Sequence, residues 1–326
     1  MKKQPMSLSD ICKIPTTQLI ADLRAGKYSL LQSLSCDKLR REMIVPGWIS
    51  RTILYFAYLG KGPDSVRADK RARAALIRLL NFTSPYEVER GIPITDRGLV
   101  IGFNHPSLGE VLRLIAICLD YYPDKSYLFP VNLAWYEALA PVADQLEHLG
   151  IYITPMITPA TVTKINKLAP EYKAEVDGFV TKFSAVYMDL CCEFIERKQI
   201  VLVAPSATRQ ATVFKSHDEM DGIAPINPAM SILAFCLGRD KSIGDDDYRF
   251  MPVAVVPPKN FGRGLNLFKQ YQLMPLQFFT PEFAYDYCRK RYGANKGRMF
   301  EHLFLTRIAM ALSDMGHDEL VCPKRP

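Results

Sequence analysis

The segment Asn104-His105-Pro106-Ser107-Leu108-Gly109-Glu110 places an imidazole five residues before a carboxylate. Brought together, those two groups make an acid–base pair. A neutral histidine accepts a hydroxyl proton near pH 7, and a carboxylate on its other ring nitrogen fixes the tautomer and stabilises the imidazolium. Residues five apart on a continuous helix lie about 140° apart around its axis. His105 must therefore sit in a turn and Glu110 in the first turn of the helix that follows. The same residues have a second assignment. Ser107-Leu-Gly-Glu110 is a capping box, S-x-x-E, in which Glu110 serves backbone donors and His105 is an ordinary turn residue.

A second candidate segment is Ala204-Pro205-Ser206-Ala207-Thr208-Arg209-Gln210. Small residues followed by Thr and Arg make a turn whose amides, hydroxyls and guanidinium can face an anion. A third, Met251-Pro-Val-Ala-Val-Val-Pro-Pro258, is an apolar run closed by prolines and reads as architecture.

In this order the three segments, spread over roughly residues 95–260, resemble the signature of the glycerophospholipid acyltransferase family. That signature runs Asn-His-x4-Asp, then Pro-Glu-Gly-Thr-Arg, then a Val-Pro-Val strand. The second segment is similar to the Ala-Pro-Ser-Gly-Gly-Arg version found in soluble plastid glycerol-3-phosphate acyltransferases. The resemblance implies phospholipid biosynthesis. His105 is then the general base, Glu110 orients it, and Arg209 with Ser206 and Thr208 holds the phosphate of the acceptor. It implies acyl-CoA or acyl carrier protein as co-substrate, a lipid or phosphate-bearing acceptor, and no cofactor or metal.

Three departures from the family pattern stand out. Glu110 replaces the usual Asp, Thr154-Pro155 stand where Asp-Arg is common, and Asn132 stands where many members have Lys. Arg113, Lys164, Lys167 and Lys215 are the candidates to replace the missing cations. Two other functions compete. A serine hydrolase using Ser206 lacks the G-x-S-x-G elbow. A non-catalytic, membrane-associated lipid-binding module would keep the fold and explain the missing cations. Histidines 148, 217, 302 and 317 have no carboxylate at suggestive spacing and are assigned surface or packing roles.

The elements that must position these residues alternate. Buried-strand runs occur at Gly98–Phe103, Tyr127–Val131, Gly150–Thr154, Gln199–Ala204 and Phe250–Val256. Leu108–Tyr121 has helical spacing, and so does the segment carrying Trp135, Leu139 and Leu146. A long helix follows Pro170, with Tyr172, Val176, Phe179, Phe183, Val186, Leu190 and Phe194 on one face. Gly238–Arg249 is a polar loop. The alternation predicts an α/β fold, a mixed sheet covered by helices on both faces, over residues 76–326, preceded by a basic helical region over residues 1–75.

Composition sets the remaining bounds. The chain has 326 residues, 48% hydrophobic and 23% charged, enough for a full core. Residues 1–75 carry 14 Lys/Arg against 6 Asp/Glu, and the remainder carries 27 against 28. The whole positive excess lies in the first quarter, beside the apolar, aromatic stretch 44–59 with Trp48, Tyr55 and Tyr58. That pattern suits contact with an anionic membrane surface, and equally a helix docked on the main domain. No recognition motif accompanies the charge, so nucleic acid is not an expected partner. Eight cysteines without C-x-x-C spacing read as free thiols rather than a disulfide or zinc framework. No signal peptide or membrane-length apolar run is evident, so the expected location is cytoplasmic and peripheral to the membrane.

Overall fold

The computed structural model of the protein describes residues 11, 14–24, 66–107, 109–133, 136, 139, 143–157, 162–163, 166–167, 170–204, 213–214, 247–260, 266–280 and 299–322. Its helices are α1 (Thr16–Arg24), α2 (Val66–Thr83), α3 (Gly109–Tyr121), α4 (Ala143–His148), α5 (Lys173–Glu196) and α6 (Met299–Asp314). Its strands are β1 (Tyr86–Val88), β2 (Gly98–Phe103), β3 (Tyr127–Asn132), β4 (Ile151–Met156), β5 (Ile200–Val203), β6 (Val213–Phe214), β7 (Tyr248–Val256), β8 (Tyr271–Pro275) and β9 (Val321–Cys322). Seven strands form one sheet in the order β1-β8-β7-β2-β5-β3-β4, and β6 pairs with β9 separately. The sheet is mixed: β2 runs parallel to β5 and β7, whereas β7 and β8 are antiparallel. The fold is α/β.

All six residues of β2 and all four of β5 are buried, so both faces of the sheet are covered at its centre. That is why these strands read as continuous apolar runs rather than alternating ones. On one face Phe304 of α6 lies directly on Gly102, where an added Cβ would stand 2.3 Å from a ring carbon. A side chain at 102 and that ring cannot share the space. Phe304 also meets the edges of Phe250 and Phe279, at centroid separations of 5.7 and 5.0 Å. Further along α6, Leu305, Ile308 and Leu312 close over Ala254, Val256 and Val321.

The chain divides into two compact units, residues 1–72 with 128–190 and residues 73–127 with 191–326. In the first, β4 begins one residue after Gly150, which takes a left-handed φ of 80° and caps α4 through its N–H to the Glu147 carbonyl. Glycine's freedom at that cap is why the expected strand 150–154 starts one residue later; the strand runs on to Met156. Along α5, Val176, Phe179, Phe183 and Val186 form the buried stripe that the spacing predicts, while Tyr172 precedes the helix in a 3-10 turn. In the second unit, Lys125 donates to the carbonyls of Arg97 and Lys198 and ties the start of β2 to the end of α5. Its burial there lowers its pKa.

Of the expected N-terminal region 1–75, α1 and the first part of α2, which runs on past residue 75, are described, and the stretch 44–59 lies outside the described residues. So does the polar loop from 238 to 246, and β7 already begins at Tyr248. Among the described residues no helix is long and apolar enough to cross a membrane. Cys118 and Cys191 are buried free thiols and Cys192 is half-buried.

Candidate active site

The residues between β2 and α3 hold the site, and each is fixed for a separate reason. Asn104 extends the β2–β7 ladder with its side chain. Its Nδ2 donates to the Val255 carbonyl at 2.9 Å and its Oδ1 accepts from the Val255 N–H at 2.7 Å. His105 follows at the C-terminal end of β2. There the chain leaves β2 toward β3 on one side of the sheet order and leaves β7 toward β8 on the other. Open α/β sheets bind ligands at such a divergence.

Glu110 stands in the first turn of α3 and is completely buried, whereas the side chain of His105 is 16% exposed. Nδ1 of His105 and Oε1 of Glu110 form a direct hydrogen bond. The other carboxylate oxygen, Oε2, accepts from the Ser107 hydroxyl at 2.9 Å. In a capping box the carboxylate would turn back to the N–H of the cap residue. Here both oxygens are engaged by side chains. Ser107 does cap the helix, accepting the Gly109 N–H at 3.0 Å. With Nδ1 donating to Glu110, Nε2 is the nitrogen left to accept a proton. The Phe103 ring meets the imidazole edge-on at 6.2 Å between centroids.

Behind Ser107 stands Tyr271, the first residue of β8, with its hydroxyl 2.7 Å from Ser107 Oγ and 2.9 Å from Asn266 Nδ2. Arg113, one turn after Glu110, is fully buried beside it. Its guanidinium donates to the carbonyls of Gly109 at 2.7 Å, Asn266 at 3.0 Å and Lys269 at 2.7 Å, and its carbon lies 4.0 Å from the Tyr271 ring centre. Burial draws the Arg113 pKa down to about 10, against the opposing pull of Tyr271 and Glu110. Arg113 therefore does not fit the expectation of a spare phosphate-gripping cation, because its donors are spent on backbone carbonyls. Burial also raises the pKa of the Tyr271 phenol, which keeps it a neutral donor.

Of the sequence-predicted site residues, His105 and Glu110 are brought into contact. Ser206, Thr208 and Arg209 lie outside the described residues, as do Lys164 and Lys215. The strand that leads to them, β5, ends at Val203 in register with Gly102 of β2. Asn132, Thr154 and Lys167 belong to the other compact unit. His317, assigned a surface or packing role, meets Glu319 at 3.1 Å on an exposed turn. Sequence reasoning missed Tyr271, which contacts Ser107 from more than a hundred residues beyond the motif, and Asn266, which contacts Tyr271. Among the described residues no group of His, Cys, Asp and Glu is arranged to hold a metal ion. No known family model matches the chain, and no curated protein is detectably similar to it.

Proposed function

We propose that the protein is an O-acyltransferase that moves a fatty-acyl group from an acyl thioester, acyl-CoA or acyl carrier protein, to the hydroxyl of a glycerol-3-phosphate or lysophospholipid-type acceptor. The observation that carries this reading is the buried Glu110 carboxylate, bonded to Nδ1 of the partly exposed His105 at the end of a central strand. Nε2 of His105 removes the acceptor's hydroxyl proton as the oxygen attacks the thioester carbonyl. The tetrahedral oxyanion collapses, the carbon–sulfur bond breaks, and the thiolate takes the proton back from the imidazolium. Glu110 holds the Nδ1–H tautomer and offsets the transient positive charge. Arg209, with Ser206 and Thr208, is assigned to the acceptor phosphate. The register of β5 with β2 supports that assignment, since the segment departs from the strand beside the one that leads to His105.

The test is thioester consumption by purified protein supplied with acyl-CoA, glycerol-3-phosphate and mixed lysolipids. His105→Ala should lose at least about a hundredfold in rate, the lower range for a general base. Binding of lysolipids without turnover, in the wild type and in His105→Ala alike, would favour the non-catalytic lipid-binding module. That alternative draws support from Thr154, Pro155 and Asn132 at positions where the family carries charged groups.

Peripheral attachment to a cytoplasmic membrane face belongs to the same proposal, supported by the basic excess of residues 1–75. Each basic residue near an anionic surface contributes on the order of 1 kcal/mol, screened within about 8–10 Å at physiological salt. Co-sedimentation with anionic liposomes should weaken with salt and with removal of residues 1–62. Equal binding to neutral vesicles would refute it.

A further inference from the structure

We infer that Tyr271 is a positioning residue for His105, acting through a one-way chain of hydrogen bonds that passes through Ser107 and Glu110. The inference rests on the proposed base role of His105 for its kinetic consequence, and on geometry alone for the chain itself.

Proton counting gives the chain its direction. Ser107 has one hydroxyl proton and two lone pairs. The Gly109 N–H can only donate, so it fills one lone pair, and an ionised Glu110 can only accept, so it takes the proton. The remaining contact, with Tyr271 at 2.7 Å, must then be a donation from the phenol into the second lone pair. The phenol oxygen in turn accepts from Asn266 Nδ2. Donation runs from Asn266 to Tyr271, to Ser107, to Glu110, where it meets the Nδ1–H of His105 arriving from the other side.

Every polar capacity of Ser107 is used, and its rotor has one setting. Tyr271, Ser107 and Glu110 are each completely buried, where an unsatisfied polar group is costly and an apolar substitute would pack without penalty. A helix start needs only a cap, and Ser107 with Gly109 supplies it. The phenol adds nothing to that cap. What it does is hold the Ser107 proton toward Oε2, which fixes the carboxylate plane and aims Oε1 at the imidazole. Arg113 holds the far end of the chain, gripping the Asn266 carbonyl and covering the Tyr271 ring. Asn266 keeps a left-handed φ of 47°, a conformation that asparagine tolerates better than most residues.

Tyr271→Phe keeps the ring beneath Arg113 and removes only the donor. In the thioester assay kcat should fall about three- to tenfold with KM unchanged, the loss expected for one hydrogen bond realised in the transition state. Ser107→Ala should fall further and Ser107→Thr should recover. Adding Tyr271→Phe to Ser107→Ala should cost nothing more, because the chain is already cut. A second readout needs no substrate. In 15N-histidine spectra the His105 signal, assigned by its loss in His105→Gln, should report the Nδ1–H tautomer in the wild type and a mixture in Tyr271→Phe and Ser107→Ala. Wild-type kcat and an unchanged tautomer in Tyr271→Phe would overturn the inference. Full turnover by His105→Ala would instead defeat the acyltransfer reading, leaving the tautomer measurement to decide the chain.

Discussion

The guanidinium carbon of Arg113 lies 4.0 Å from the centre of the Tyr271 ring, and the donors around it reach four backbone carbonyls from three separate segments. The planar fork is therefore used on both its edge and its face. Lysine offers neither the fork nor a stacking plane. Arg113→Lys should lower stability by about 1–3 kcal/mol through carbonyls left unpaired. A urea titration of the two proteins measures this, and an unchanged midpoint would mean that the clamp contributes nothing.

Glu110→Gln separates a cap from a partner of His105. The amide keeps the shape of the carboxylate but presents one oxygen where two acceptors are in use, so its NH2 must oppose either His105 or Ser107. Turnover should drop at least about tenfold, and the variant should lose about 1–3 kcal/mol of stability. A fully active variant would reduce Glu110 to a helix cap.

For Arg209 the expectation concerns affinity. If the guanidinium grips the acceptor's phosphate, Arg209→Lys raises KM for phosphate-bearing acceptors and Arg209→Ala raises it further. Removing one charge-assisted contact of about 1.5–3 kcal/mol corresponds to roughly ten- to a hundredfold. Wild-type kinetics with every acceptor tested would remove Arg209 from the site.

Alkaline pH should unfold the second unit for a reason that is built into its core. Tyr122, Tyr127 and Tyr271 are buried, and burial raises the pKa of each phenol, as it does that of the Cys118 thiol. Above the ordinary values of about 8.5 for Cys and 10 for Tyr, the unfolded chain releases these protons while the folded chain keeps them. Stability is thus fully present below that range and is lost as pH rises through it, by about 1.4 kcal/mol per pH unit for each group. Urea midpoints from pH 8 to 11 should follow this slope. Tyr122→Phe, which removes a donor to the Pro93 carbonyl, should flatten it by one group's share.

The parts of this fold legible in the sequence are those whose signal is local. The buried run Gly98–Phe103 reads as a strand and is one, and the spacing from Leu108 to Tyr121 corresponds to α3 within a residue. No element after Val256 is read from the sequence, for two different reasons. Met299–Asp314 is apolar around most of its circumference, so it lacks the stripe that marks an amphipathic helix. Tyr271–Pro275 is five residues long, and a run that short carries little periodicity. The imidazole–carboxylate pair was legible because turn and helix bring residues five apart together. Tyr271 and Asn266 were not, because Tyr271 reaches Ser107 only through the folded sheet and Asn266 reaches Tyr271 in turn, and no spacing rule spans that distance.

Phe304 resting on Gly102 has a consequence for how the chain is made. The two residues lie roughly 200 positions apart, and contacts of such long range form late because the intervening loop must close first. β2 emerges from the ribosome with one face awaiting a helix that is still untranslated, and at about 5–20 residues per second the wait is some 10–40 seconds. Until α6 arrives, the strand that leads to His105 leaves the face bearing Gly102 and Val100 uncovered. Nascent chains arrested before residue 299 should therefore be protease-sensitive and bound by chaperones, and release of the C-terminal helix should be the event that closes the centre of the sheet.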